Sequence, residues 1–184
     1  MTTQVTDVTQ ANLFSAVEGF LIQFSTPELK DDGKHVLIGF SNDQTLPDDG
    51  NDFCVLSPLS FSRRGTNVEQ WNGVEKAVTY LEYVDTSWQI DCYSCSPNWA
   101  QRRAQTYETI ARSEAGVNYF KPLGVDCQYA DSVSNLSGVL DSAKYVARWG
   151  ITLHLGFWKQ VSVSFPFFDA LTVNVKNVDV SFPP

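Results

Sequence analysis

Residues 149–165 read WGITLHLGFWKQVSVSF. Trp149, Ile151, Leu153, Leu155 and Phe157 alternate with Gly150, Thr152, His154, Gly156 and Trp158, and Val161, Val163 and Phe165 keep the phase past Lys159 and Gln160. Successive side chains of a strand point to opposite faces, so this run predicts one long strand, or a tight pair, with one apolar face. A second such run lies upstream. VDTSWQIDC at 84–92 sets Val84, Thr86, Trp88, Ile90 and Cys92 against Asp85, Ser87, Gln89 and Asp91. Half-polar strands belong to antiparallel sheets with one covered face, not to parallel sheets buried on both.

Outward from these strands, Leu13, Phe14, Val17, Phe20, Leu21 and Phe24 recur at helical spacing. They predict an amphipathic helix over about 8–25, opened by an Asp7/Gln10 capping box and stopped at Pro27. Ser96-Pro97 opens a second helix that runs through NWAQRRAQTYETIARS and ends before Gly116. VLIGF at 36–40 is a short apolar run, followed by loop chemistry in SNDQTLPDDGND. FCVLSPL at 53–59 reads as a strand near an edge, because Pro58 cannot donate to a ladder, and SFSRRGTN at 60–67 reads as a polar loop. The segment 117–147 has no sustained period and is expected to be loops with short pieces of structure. LTVNVKNVDVSF at 171–182 alternates again, with a phase slip at Asn177 that suggests a bulge or turn. The sum is an α+β fold, a mostly antiparallel sheet with helices packed on one face. A length of 184 residues suits a single domain spanning 1–184.

An apolar share of 43% with 18% charged residues is globular. The net charge of −8, from 21 acidic and 13 basic residues, argues against a protein that coats phosphates. MTTQVTDVTQ holds no Lys or Arg, and Glu18 interrupts the apolar stretch after it, so no secretory signal is expected. No apolar run is long enough to span a bilayer. Reduced thiols in a cytosolic setting follow as the default. Between Glu28 and Asp52 seven carboxylates gather (Glu28, Asp31, Asp32, Asp43, Asp48, Asp49 and Asp52), which plainly reads as a solvated loop.

Motifs with chemical meaning are few. Cys92 and Cys95 stand at C-x-x-C spacing in DCYSC, but Cys54 and Cys127 are isolated and His35 and His154 stand alone, so a four-ligand zinc site is not assembled. A redox dithiol wants its thiol at a helix N-terminus. Here the helix opens after the second cysteine, and Cys92 belongs to the buried phase of a strand, which points to packing. His154 lies on the polar phase, with no Ser, Cys or Asp tied to it by a recognisable spacing. Phosphate-binding loops are missing, and the carboxylates at 48–52 do not meet EF-hand spacing. The expectation is a protein without catalytic, cofactor or metal residues, and not an enzyme. Five Trp, seven Tyr and twelve Phe remain to be placed. Most suit a core, while Trp158, on the polar phase, is a candidate for an outward protein contact.

KYVARWGITLHLGFWKQVSVSFPFFDALTVNVKNVDVSFPP at 144–184, with RRGTNVEQW at 63–71 and QIDCYS at 89–94, resembles the neck or tail terminator proteins of tailed bacteriophages. The likeness extends from about Leu13 to Pro184, and QIDCY, ARW and VDVSFPP carry most of it. Such families often continue QIDCY with a small residue such as Gly; here Ser94 and Cys95 follow, so the second cysteine is particular to this chain. The resemblance implies a tail-terminator-like fold and a homo-oligomeric ring, a hexamer, at the tail-to-neck junction of the virion. That ring would end tail tube growth and allow head-tail joining, after assembly in the host cytoplasm. It implies a tail tube protein and a neck or connector protein as partners, genomic DNA passing through the lumen without specific binding, no cofactor and no membrane. On this reading Asp48, Asp49 and Asp52 are lumen candidates that repel phosphates, and Arg63, Arg64 and Trp158 are interface candidates. A head-completion (stopper) protein of the neck is the alternative. From other classes stand a dithiol oxidoreductase using Cys92 and Cys95, and a carbohydrate-binding β domain using exposed Trp.

Overall fold

A computed structural model of the chain describes residues 3–6, 10–30, 34–41, 52–72, 77–140 and 144–164. The elements in chain order are β1 (Thr3–Thr6), α1 (Gln10–Phe24), β2 (Val36–Ile38), β3 (Asp52–Asn72), β4 (Ala77–Ser94), α2 (Pro97–Ala111) and α3 (Glu114–Phe120). A 3₁₀ turn at Lys121–Leu123 follows, then β5 (Val125–Ala130), β6 (Ser134–Asn135), β7 (Gly138–Leu140) and β8 (Lys144–Ser164).

The alternating run of 149–165 is one long strand rather than a tight pair. β8 pairs antiparallel with β4 from Ala147↔Ser94 to Ser164↔Ala77. Along its other edge it takes four short strands in turn: β7, β6, β5 and β1, all antiparallel. On the far side of β4 lies β3, also antiparallel, and β2 closes the order with the one parallel pairing among the described residues, Val36–Ile38 against Cys54–Leu56. The fold is α+β, with a mostly antiparallel sheet carrying helices on one face.

The even phase of β4 and the odd phase of β8 build that covered face. Trp88, Ile90, Cys92, Ile151, Leu153 and Leu155 pack against Leu13, Val17, Phe20 and Leu21 of α1, Ala104, Tyr107 and Ala111 of α2, and Phe120 of α3. Fully burying a large apolar side chain stabilises the fold by about 1.5–3 kcal/mol each. Tyr107 lies deep in this layer and donates its hydroxyl to the Leu21 carbonyl at 2.9 Å, which ties α2 to α1.

Helix α1 matches the apolar stripe; Asp7, its expected cap, lies outside the described residues. At α2, Ser96 is the N-cap and Pro97 the first helical residue, yet the Ser96 hydroxyl makes no capping bond. The Ser96 amide donates instead to Ser94 Oγ at 3.0 Å. The expectation of one helix ending before Gly116 is corrected. Ser113 is extended (φ −105°, ψ 166°) and its hydroxyl donates back to the Ile110 carbonyl at 2.7 Å, so α2 stops at Ala111 and α3 begins at Glu114. Gly116 lies inside α3, where a Cβ would sit 2.5 Å from Ile110 O; its missing side chain lets α3 lie on the end of α2.

One further expectation is corrected. SFSRRGTN is not a loop but the middle of β3, paired with β4 through bulges between Pro58 and Ser60 and between Arg64 and Val68. Gly65, at φ 81°, supplies the left-handed residue of the second bulge. The short pieces of structure expected in 117–147 are the end of α3, the 3₁₀ turn, β5, β6, β7 and the start of β8. The alternation at 171–182, with its slip at Asn177, lies outside the described residues. Among the described residues no helix is long and apolar enough to cross a membrane.

Candidate functional site

Helices cover one face of the sheet; the other face and the outer half of β3 are the candidate surface. From Leu59 to Trp71 every residue of β3 is exposed, although the strand stays paired with β4. This outer stretch, with the facing part of β4, forms an arm beyond the apolar layer. Leu59, Phe61 and Val68 are large apolar side chains exposed on it.

Two of the three interface candidates meet at one tyrosine. Trp158 and Tyr83 are Cα partners across the β4–β8 ladder, with ring centroids 5.1 Å apart at 73°. The Arg64 guanidinium lies 5.7 Å from the Tyr83 ring centroid and pairs with Asp85 at 2.8 Å. Tyr83 in turn donates its hydroxyl to Asp126 Oδ2 at 2.8 Å. Burial first, and then this carboxylate, raise the Tyr83 pKa. Gly156 faces Tyr83 so closely that a Cβ there would collide with the phenol oxygen, so this glycine makes room for the ring to reach β5. Arg63 points to the opposite face, where it approaches Glu82 at 3.6 Å and Asn67 Oδ1 at 3.4 Å. Both arginines are on a strand, not in the expected loop.

Of the lumen candidates, Asp48 and Asp49 lie outside the described residues. Asp52 opens β3, with its Oδ1 3.7 Å from Arg103 Nη1. Arg103 is fully buried, donating from Nε to Ser25 Oγ at 2.9 Å and from Nη2 to the Pro27 carbonyl at 3.2 Å. This cation ties the segment after α1 to the start of β3. Nothing in the periodicity singles it out beyond its place on the buried side of α2.

Further along the helix-free face the sheet carries polar groups that sequence reasoning missed. Ser87 Oγ lies 3.1 Å from His154 Nδ1, His154 Nε2 lies 3.2 Å from Asp131 Oδ2, and Tyr129 stacks on the imidazole at 4.2 Å. Register brings these together: Ser87 and His154 are direct partners, and the Asp131 amide is fixed on Thr152 O at 2.8 Å. The three residues are those of a hydrolase triad, but the chemistry is not. The serine sits on Nδ1 and the carboxylate on Nε2, the reverse of the arrangement in which Asp fixes the tautomer that lets Nε2 take the serine proton. Ser87 is also mid-strand between two partners, so the neighbouring amides of β4 are committed to ladders and form no oxyanion hole.

Asp91, expected on a wet face, is only 3% exposed. Arg148 pairs with it at 2.8 Å and Gln89 donates to it at 3.0 Å, so the carboxylate is buried with partners. The hydrogen bond to Asp91 raises the Arg148 pKa further.

The cysteines separate. Cys92 is fully buried and Cys95 exposed, so the C-x-x-C pair is divided between two environments; Cys92 faces Cys54 instead. Among the described residues no His, Cys, Asp and Glu cluster to hold a metal ion. Trp71, Trp99 and Trp158 are exposed on three different elements, β3, α2 and β8.

A family model described as phage neck terminator protein matches residues 11–182. The chain belongs to that family. No curated protein matches it. As a member of it, the chain is a structural component of a phage virion, working among other tail and neck proteins. Its match takes in both the helix layer and the arm.

Proposed function

We propose that this protein assembles as a ring, a hexamer with one domain per copy, at the junction of tail and neck. There it ends the growth of the tail tube and offers the surface to which the head joins. The match over residues 11–182 carries this reading, and the arm supports it by supplying a means of contact. A closed ring uses a heterologous interface, unlike faces meeting around a rotation axis, and each contact needs about 1,000 Å² or more of buried surface. The cluster of Arg64, Tyr83 and Trp158 suits such a contact, since aromatic and Arg side chains anchor interfaces. Arg63 serves the opposite face of the arm. Asp85 and Glu82 hold the two guanidinium forks, which leaves their remaining donors for a neighbour's carboxylates.

Asp48 and Asp49, with Asp52 beside Arg103, face the lumen on this reading and repel phosphates, so that DNA slides past without binding. Assembly in the host cytoplasm precedes joining. Electron microscopy of particles made without the protein tests the proposal. Tails of uncontrolled length, or finished tails that fail to join heads, are expected; normal infectious particles overturn it. Co-purification with DNA-filled heads rather than tail tubes would replace it with the stopper reading.

A further inference from the structure

Cys54 and Cys92 face each other across the β3–β4 ladder as Cα partners, both fully buried. Their sulfurs are 3.8 Å apart. The Cys54 amide donates to His35 O at 2.8 Å, on the β2 side. The amide and carbonyl of a strand residue point the same way, so toward β4 this is a non-hydrogen-bonded pair, with Cα atoms about 4.5 Å apart and side chains at their closest. That separation lies within the window of about 4.4–6.8 Å that a disulfide accepts.

We propose that Cys54 and Cys92 form a latent disulfide site, reduced in thiol-rich surroundings and closed by a small oxidant of the peroxide class. The Cys54 thiolate attacks one peroxide oxygen, the O–O bond breaks, and the departing hydroxide takes up a proton as water. Cys54 is then a sulfenic acid. The Cys92 sulfur attacks it, the S–O bond breaks, and the hydroxyl leaves with the Cys92 proton as a second water. Two thiols are oxidised by two electrons and one peroxide is reduced to two waters.

The order of attack follows from the surroundings. The hydrogen bond with Cys92, and after it the Arg103 charge, hold the Cys54 thiol below its ordinary value against burial, whereas burial pushes Cys92 well up. Neither other thiol is so placed. Cys95 is exposed, and Cys127 sits 3.4 Å from the Ala111 carbonyl, with burial raising it to about 11. A bond between residues 38 apart in sequence would close a loop containing the entire arm. Removing that loop's freedom from the unfolded chain corresponds to a melting temperature higher by roughly 5–15 °C. The inference stands on the two sulfurs and does not depend on ring assembly.

The test treats the purified, folded full-length protein with hydrogen peroxide, alkylates the remaining thiols, and maps the peptides by mass spectrometry. The expected product is linked Cys54 to Cys92 within one chain, two hydrogens lighter, and more heat-stable until a dithiol reductant is added. Cys95→Ala leaves this product unchanged, and Cys92→Ser abolishes it. Four alkylatable thiols after oxidation, a link through Cys95 or Cys127, or a Cys54–Cys92 link that forms only in urea would overturn the proposal. The map of the unsubstituted protein decides the matter even where Cys92→Ser fails to fold.

Discussion

The two halves of the β3–β4 ladder share a register and differ in nearly everything else. In the body, from Val84 to Ile90, β4 alternates buried and half-buried residues beneath the helices. In the arm, from Val78 to Tyr83, β4 is half-buried throughout, and β3 opposite is exposed at each position. Backbone hydrogen bonds therefore run on past the point where the apolar layer stops. What holds the arm is pairing and cross-strand contact, such as Trp158 on Tyr83, rather than a core. The apolar layer lies in one half, and in the other the side chains of β3 remain at the surface.

The widest contrast should come from truncating an aromatic in each half. Trp88→Ala, at a residue 1% exposed, should lose about 3–5 kcal/mol in urea unfolding. Trp71→Ala, whose exposed ring lies on β3 opposite Val78, should lose about 1 kcal/mol or less. Equal losses would break the comparison. Next comes the junction of the halves. Gly156→Ala drives a methyl against the Tyr83 hydroxyl and should cost about 1–3 kcal/mol by overpacking, with a change in tyrosine fluorescence or near-ultraviolet dichroism.

A third measurement is the pH profile of stability. Burial raises Cys92 and Tyr107 well above their ordinary values, and Cys127 from 9.0 to about 11. Above pH 9 the unfolded chain sheds protons that the folded chain keeps, so it binds fewer, and stability must fall as pH rises. The melting temperature should decline from about pH 9 toward pH 11, above the range in which the lowered Cys54 thiol adds stability, and Cys127→Ala should make that decline shallower. A rise over this interval would contradict the buried thiols and phenol of the body. The smallest stability effect belongs to the arm. Arg64→Ala breaks an exposed ion pair and should change folding stability by no more than about 0.5–1 kcal/mol. The same substitution should weaken oligomer formation, read by light scattering or by electron microscopy of rings; intact assembly would remove the arm from the interface.

The contrast also explains what the sequence made legible. Ile151, Leu153, Leu155 and Phe157 alternate because one side of β8 meets helices and the other does not, and the same cause made Val84–Ile90 readable. The arm has water on both sides of β3, so Arg63, Arg64 and Asn67 show no period, and Gly65 imitates a loop while serving a bulge. β5, β6 and β7 were hidden for another reason. Each is short and takes its hydrogen bonds from β8, and the bulge between Cys127 and Tyr129 interrupts the little alternation present. Partners set by register were invisible for the same reason. Cys92 reads as one half of C-x-x-C because Cys95 is near in sequence, but the ladder places Cys54 against it. His154 looks solitary until β4 and the segment after β5 bring Ser87 and Asp131 to its two nitrogens.

The five strands that β8 joins determine when the molecule can take shape. β4, β5, β6, β7 and β1 all lean on a strand that leaves the ribosome after every one of them, so a nascent chain cannot complete its sheet until about residue 164 has emerged. At translation speeds of about 5–20 residues per second, the earlier strands wait several seconds for this common partner. A prematurely terminated product lacking it has no finished sheet, and leaves β4 without its partner along the whole length from Ala77 to Ser94.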